Sequence, residues 1–331
     1  MKSILLFLVF SICVSAQHTQ IIDLNQNIKD KKGLTKSLSF IDHRTDKEIG
    51  SINSRKGSVE IKFATDDLKG EVANWFSSDN KNAKGNNDLV ILLEELKMFE
   101  TQEDKNPRLK TKVSSFIKRN DKYYFINRYE NVDAFTQKPI PHTVSFKIAD
   151  NIATLIRDSY TKIPISLPIY EAEIFNYESV LMKNLKVFNT IPLTEGVYEN
   201  YKDFRDQNTK VGYHTVKNKK NEIVRIENEQ NLRVADLDLF CFVDNGIAYK
   251  ITPVGYLEIF RDEKGLYIIS NKAELFPQNS SGATVGLMIG GGLAGVAIGM
   301  IIDSQTRKNR SDSDFYNIYI DSFTGDYVFE K

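Results

Sequence analysis

The stretch from Gly282 to Ile302 holds 21 consecutive residues without a charge. Its glycines recur every fourth position in two sets: Gly282, Gly286 and Gly290, then Gly291, Gly295 and Gly299. Residues four apart lie on one ridge of a helix, so each set makes a flat groove where a second backbone can approach closely. Each interior glycine costs a helix in water about 0.5–1 kcal/mol relative to alanine. With seven glycines in the stretch, a helix here needs an environment that enforces it. Lipid is one such environment, because unsatisfied peptide groups are so costly there.

The length reads in more than one way. As a single helix, the 21 residues at about 1.5 Å each reach about 31 Å, the thickness of a hydrocarbon core. As a hairpin broken at Gly290-Gly291-Gly292, each arm is too short to cross. The one-residue offset between the glycine sets favours the hairpin. A third reading is a glycine-rich helix or loop packed inside a water-soluble core. Arg307, Lys308 and Arg310 follow closely, and the expectation is that they meet phosphate headgroups or fix the C-terminus on the inner side. Beyond them Phe315, Ile318 and Ile320, the turn Thr324-Gly325-Asp326, and Tyr327 and Phe329 predict a terminal β-hairpin. Its easiest partner is the strand ending near Ile269, on the same side of any membrane. That arrangement suits a re-entrant hairpin or a packed helix pair better than a single span.

The other end of the chain carries an export signal. A lone positive charge at Lys2, an apolar run over residues 4–12, and Val14-Ser15-Ala16 before Gln17 match what signal peptidase reads, so the mature chain is expected to begin at Gln17. Ile12 precedes Cys13 where a lipobox wants a small side chain, which argues against lipidation. Removal of residues 1–16 leaves Cys241 as the single thiol, so no internal disulfide forms. Flanked by Phe240 and Phe242 in a β-like run, Cys241 is expected to be a buried, inert thiol on the face opposite both rings.

Between these ends the pattern is that of a folded α+β body. A polar linker, residues 17–33, precedes strands around Leu38 and Phe40 and around Val59, Ile61 and Phe63. Thr65-Asp66-Asp67 then caps a short helix whose apolar residues are Leu68, Val72, Trp75 and Phe76. The continuous run Leu89-Val90-Ile91-Leu92-Leu93 predicts a central strand. Leu109 to Ile117, the turn Asn120-Asp121-Lys122, and Tyr123 with Phe125 predict a hairpin. A second helix is expected to start at an Asp150 cap and to present Ile152, Leu155, Ile156 and Tyr160. These elements assign residues 34–162 to an α+β domain, an antiparallel sheet with two helices. Residues 163–275 then read as a β-rich meander punctuated by Asp244-Asn245-Gly246 and by Asp262 to Gly265. The glycine segment, 282–302, and a final part, 303–331, complete the chain.

The element order over residues 34–162 resembles the small domains of periplasmic lipoprotein-type components that assist envelope transport. Leu193-Thr194-Glu195-Gly196-Val197-Tyr198 through Phe204, and Asp244-Asn245-Gly246 through Tyr249, resemble segments of uncharacterised secreted proteins of Gram-negative bacteria. Residues 282–302 resemble the glycine-zipper segments of small envelope proteins. Those resemblances imply an envelope location and carry no activity with them.

Chemistry is sparse. Lys and Arg number 44 and Asp and Glu number 44, so the chain lacks the basic surplus of a general nucleic-acid binder. His18, His43, His142 and His214 are too scattered for a zinc spacing. Asp236, Asp238 and Asp244, like Asp312 and Asp314, read as solvated strand faces rather than a calcium loop. No nucleophile elbow or phosphate loop is present, and Glu94, Glu95, Glu171 and Glu173 read as carboxylates without an evident partner. The expectation is therefore a non-enzymatic exported protein without cofactor or metal. Its partners would be membrane lipid, copies of itself or an envelope complex, met through the six periodic glycines and the basic cluster. The alternative is a secreted module whose aromatic-rich middle segment binds a carbohydrate, peptide or partner protein. A hydrolase would need converging carboxylates for which the spacing gives no support.

Overall fold

The computed structural model describes residues 18–54, 57–81, 83–101, 106–136, 139–234, 239–276 and 315–329. The predicted signal peptide, the glycine segment with Gly282, Gly286, Gly290, Gly291, Gly295 and Gly299, and the cluster Arg307, Lys308 and Arg310 lie outside the described residues.

The chain enters as strand β1 (His18–Ile22), crosses to β2 (Thr35–Asp42) and turns through β3 (Gly50–Ser54) and β4 (Gly57–Phe63) into helix α1 (Leu68–Asp79). The Asp67 carboxylate accepts the Gly70 N–H at 2.9 Å and starts that helix. Leu68, Val72, Trp75 and Phe76 are its buried stripe. Three long strands follow, β5 (Asn87–Phe99), β6 (Arg108–Arg119) and β7 (Lys122–Ala134), and then helix α2 (Ile140–Ser159). The sequence expectation placed the cap of this helix at Asp150. The structure starts it at Ile140, with proline in the first turn where a missing N–H costs nothing. Val144 and Ile148 continue the stripe of Ile152, Leu155 and Ile156 upstream, which is what recruits the extra turns.

With β8 (Ile169–Tyr170), a five-stranded sheet forms in the order β2-β5-β6-β7-β8. Its β5–β6, β6–β7 and β7–β8 pairs are antiparallel, whereas β2 joins β5 in parallel with Phe40 opposite Ile91. The wholly antiparallel sheet expected from the sequence is corrected there. The long crossover through β3, β4 and α1 brings the chain back in the same direction. Strand β1 likewise pairs with β4 in parallel, in a small sheet ordered β1-β4-β3.

The remaining chain runs through a 3-10 turn (Glu171–Asn176), helices α3 (Tyr177–Met182) and α4 (Lys186–Asn189), strand β9 (Gly196–Tyr198), helix α5 (Tyr201–Arg205) and a ribbon of β10 (Tyr213–Lys217) and β11 (Ile223–Asn228). The expected meander follows as β12 (Cys241–Asp244), β13 (Ile247–Thr252), β14 (Gly255–Glu258), β15 (Phe260–Asp262) and β16 (Gly265–Ser270). After the short helix α6 (Lys272–Leu275) come β17 (Tyr316–Ile320) and β18 (Tyr327–Val328). The meander divides after Glu258 into two four-stranded sheets, β14-β13-β12-β9 and β15-β16-β17-β18. The class is α+β with more strand than helix.

Both faces of the five-stranded sheet are covered. Leu89, Ile91 and Leu93 of β5 face a core shared with α1, α2 and the β1-β4-β3 sheet. Val90 and Leu92 face a second core shared with Tyr177, Leu181, Phe204, Ile268, Ile318 and Phe323. A strand buried on both sides has no position for a polar residue, hence its unbroken apolar run.

Candidate functional site

Strands β16 and β17 flank the glycine segment in sequence, and they pair with each other. Ile268 lies opposite Ile318 and Ser270 opposite Tyr316, antiparallel. Two strands that lie on either side of the uncharged segment in sequence are thus neighbours in one sheet. Leu266, Ile268, Ile318 and Ile320 form the buried face of that sheet.

A charged cluster fastens this sheet to the five-stranded one. Arg128, on β7, donates from Nε to Asp321 Oδ2 at 2.6 Å, and the exposures of the two side chains are only 7% and 3%. Arg128 also pairs with Glu178 of α3 and lies 3.3 Å from Glu130. Its guanidinium stands 5.0 Å from the centre of the Phe323 ring. Asp321 follows β17 directly, and its second oxygen accepts the backbone N–H groups of Phe323 and Thr324 at 2.8 and 2.9 Å. The Tyr201 hydroxyl donates to the Ser322 carbonyl at 2.8 Å, and Phe323 packs its ring 5.2 Å from that of Phe125. One carboxylate thus shapes the turn and receives the arginine of the other sheet.

The cluster continues along β6. Lys112 reaches Glu178 at 2.5 Å and lies 3.9 Å from Glu94 and Glu130. Ser114 donates to Glu94 at 2.7 Å, and the Tyr177 hydroxyl lies 3.2 Å from the same oxygen. Glu94, read from sequence as partnerless, is therefore in the middle of a network. Burial pushes the carboxyls of Glu94 and Glu130 above the ordinary range, although the cations Lys112 and Arg128 pull the other way. Burial also works against the charge of Arg128, yet Asp321 and its other anionic neighbours overcome it and hold the guanidinium charged. Four carboxylates, Glu94, Glu130, Glu178 and Asp321, meet two cations here. The arrangement clamps one sheet to another.

A second feature lies in the aromatic middle segment. A groove of about 420 Å³ opens between the tip of the β10–β11 ribbon and strands β12 to β14, with Tyr249, Tyr256, Asp244, Lys217 and Glu258 in its walls. Asp244 is not simply solvated: Lys217 and Thr215 donate to it at 2.6 and 2.8 Å. Burial opposes its charge, and those two bonds nevertheless hold its carboxyl below the usual range. Beneath the groove's sheet, Cys241 is fully buried opposite Lys250. Burial pushes the thiol up and the ammonium down to about 8. The Lys250 ammonium donates to the carbonyls of Phe240 and Ile251 at 3.0 and 3.1 Å. Phe242 faces away from Cys241 as expected, but Phe240 precedes the strand and packs on the cysteine side, against the alternation.

Of the other residues singled out in the sequence, His43 stacks on Phe175 at 3.9 Å and His214 stands 3.5 Å from Glu227. Glu95 pairs with Lys110 at 2.9 Å and Glu171 with Lys118 at 3.3 Å. Among the described residues no three His, Cys, Asp or Glu side chains gather closely enough to hold a metal, and no helix is long and apolar enough to cross a membrane. Sequence reasoning missed Lys112, Arg128, Glu130, Tyr177, Glu178 and Asp321. The available signal was Ser114 and Phe116 interrupting a run of lysines on one face of β6, a mark of a covered face.

The chain matches no family model and no curated protein. Among solved structures it is similar to a Xanthomonas campestris protein of the DUF330 family, at 12% identity and a TM-score of 0.25, over 44% of this chain and 86% of that one.

Proposed function

We propose that this is a non-enzymatic exported envelope protein that associates with a membrane, or assembles with its own copies or an envelope complex, through residues 282–302. The observation that carries the reading is the pairing of β16 with β17. The strands that precede and follow the uncharged segment in sequence are neighbours on one sheet, so those two strands share one side of any bilayer. That geometry supports insertion from one side, or packing of glycine ridges between copies, over a single span. The network of Arg128 and Asp321 supports the same reading from the other direction, because a sheet that bears an anchor must be held firmly to the body it anchors. In this reading residues 1–16 direct export to the periplasm or the outer membrane, and Arg307, Lys308 and Arg310 meet anionic headgroups. Fractionation tests it: the mature protein should stay with membranes, or in a large assembly, through high salt and carbonate, and recovery as a freely soluble monomer would overturn the anchoring reading.

The second reading, a secreted module binding a carbohydrate, peptide or partner protein, is favoured by the groove between Tyr249 and Tyr256. The two tyrosines offer ring faces among polar and charged side chains such as Lys217, Asp244 and Glu258, a mixed lining that supplies apolar contact and hydrogen bonds together. Loss of binding to a peptide or glycan array on Tyr249→Ala, with the fold intact, would support it.

A further inference from the structure

The end of the five-stranded sheet where β2 and β5 begin and β6 stops closes under the last turn of α2 around a cleft of about 240 Å³. Leu89 and Ile117, cross-strand partners, are 2% and 7% exposed and contribute its apolar lining. Three cations line the same cleft, Lys32, Arg119 and Lys162, and among the described residues no carboxylate does. Leu34 and Ile163, at 47% and 76% exposure, are two large apolar side chains of the lining left open to water.

The cleft is built rather than incidental. Asp30, itself buried, accepts the backbone N–H groups of Lys32, Gly33 and Thr35 at 3.0, 3.0 and 2.8 Å, which fixes the turn presenting Lys32 and Leu34. On the opposite wall, Lys162 donates its backbone N–H to the Asp158 carbonyl at 3.1 Å, and Ile165 donates to the Phe125 carbonyl at 2.7 Å. Ile163 is thereby held between two tied points. The Lys162 ammonium is partly engaged, donating to Asn127 Oδ1 at 2.8 Å, with Asp158 and Asp326 within reach of its charge. The Arg119 guanidinium stands 5.6 Å from the Tyr124 ring centre and has no carboxylate partner among the described residues. Lys32 likewise makes no ion pair there.

Positive charge beside a buried apolar floor and an exposed apolar rim is complementary to a molecule with an anionic head and an apolar tail. A pocket somewhat smaller than those that enclose whole drug-sized ligands, which run from about 300 Å³ upward, suits a head and the first part of a chain, the rest lying over the rim. We propose that this cleft binds a single-chain amphiphilic anion, a fatty-acid carboxylate or a lipid phosphate, with its head among Lys32, Arg119 and Lys162 and its acyl chain against Leu34 and Ile163. The site is independent of the glycine segment and does not rest on the anchoring reading.

Isothermal titration of the full chain with dodecanoate, dodecyl phosphate, dodecylammonium and inorganic phosphate, each below its micellar concentration, tests the proposal. Dodecanoate or dodecyl phosphate should bind at one per chain, and the tighter of the two identifies the head group. Dodecylammonium should fail, and inorganic phosphate should bind at least tenfold more weakly. The double variant Lys32→Gln/Arg119→Gln should lose at least tenfold in affinity. So should Leu34→Ser/Ile163→Ser, which leaves every charge in place and guards against a folding defect in the first. Absence of saturable binding overturns the proposal, as does equal binding of dodecylammonium or unchanged affinity in either folded double variant. Binding that disappears only when residues 282–302 are deleted would assign the amphiphile to that segment instead.

Discussion

Replacing Arg128 by methionine tests the clamp between the two sheets. The side chain is 7% exposed, its partner Asp321 3% exposed, and the bond between them 2.6 Å. Removing one member of a buried pair commonly costs about 3–5 kcal/mol, because the other charge stays buried without compensation. Glu178 and Glu130, at 37% and 23% exposure, can turn toward water once Arg128 is gone. Asp321 keeps the Phe323 and Thr324 N–H groups. These two reliefs place the expected loss near the lower bound, about 3 kcal/mol. Asp321→Asn alone should cost less, since the amide oxygen can still accept those N–H groups, and the double variant should fall short of the sum by at least about 1 kcal/mol. Urea unfolding followed by the fluorescence of Trp75, the chain's single tryptophan, gives the energies. Hydrogen exchange gives the location, with amides of β16 and β17 opening before those of β5 and β6. The sign with pH is also fixed. Native Glu94 and Glu130 hold their protons more tightly than the ordinary glutamate value of 4.5. Their contribution to stability therefore grows as pH falls and is lost as pH rises through the native values. Arg128 pulls both carboxyls down, so removing it raises them further, and the deficit of the variant should shrink on acidification. A loss under about 1 kcal/mol, strict additivity with Asp321→Asn, or a deficit that deepens in acid would refute the clamp.

Three further outcomes follow from single residues. Lys250 has its ammonium pushed from 10.5 down to about 8 by burial, so the unfolded chain binds more protons between those values. Wild-type stability should rise across that range relative to Lys250→Met by about 3 kcal/mol, at about 1.4 kcal/mol per pKa unit, and a flat difference curve in pH-dependent unfolding would contradict the burial. Gly325 adopts φ +80 with the Tyr201 ring directly where a Cβ would stand. Gly325→Ala should therefore lose about 3 kcal/mol or more in thermal or urea unfolding, and a neutral result would mean the turn after β17 is not packed on α5. Asp30→Ala removes acceptors from three N–H groups and should cost about 2–3 kcal/mol by the same unfolding assay; loss below about 0.5 kcal/mol would show that the turn holds itself.

The parts of the fold legible in the sequence are those where one local signal decides. Asn120, at φ 54, takes the left-handed position that the β6–β7 turn needs, and the Asn-Asp pair advertises it. Asp67 and the stripe from Leu68 to Phe76 give α1 almost residue for residue. The pairing of the terminal strand with the strand ending near Ile269 was also readable, because two short amphipathic strands flanking a segment that avoids charge have few other partners. What resisted reading depends on distance in sequence. The start of α2 was obscured because the residues 140–145 mix proline, histidine and β-branched side chains, and only packing on the sheet reveals Val144 and Ile148 as its stripe. Parallel addition of β2 to β5 leaves no mark in either strand. Arg128 and Asp321 are 193 positions apart, and Glu94 draws its partners from β6 and α3. No spacing rule joins such residues before the sheets stack.

Deletion of residues 282–302 from the mature chain is the most direct test of the account. Because the hydrogen-bonded register of β16 and β17 lies wholly within residues 266–270 and 316–320, the account predicts that the shortened protein folds, keeps the exchange protection of the Ile268–Ile318 pairing, and moves from the carbonate-resistant fraction or assembly to a soluble monomer. If the β15–β18 sheet instead loses its protection and the body unfolds with it, the segment is part of the core and the anchoring account is wrong.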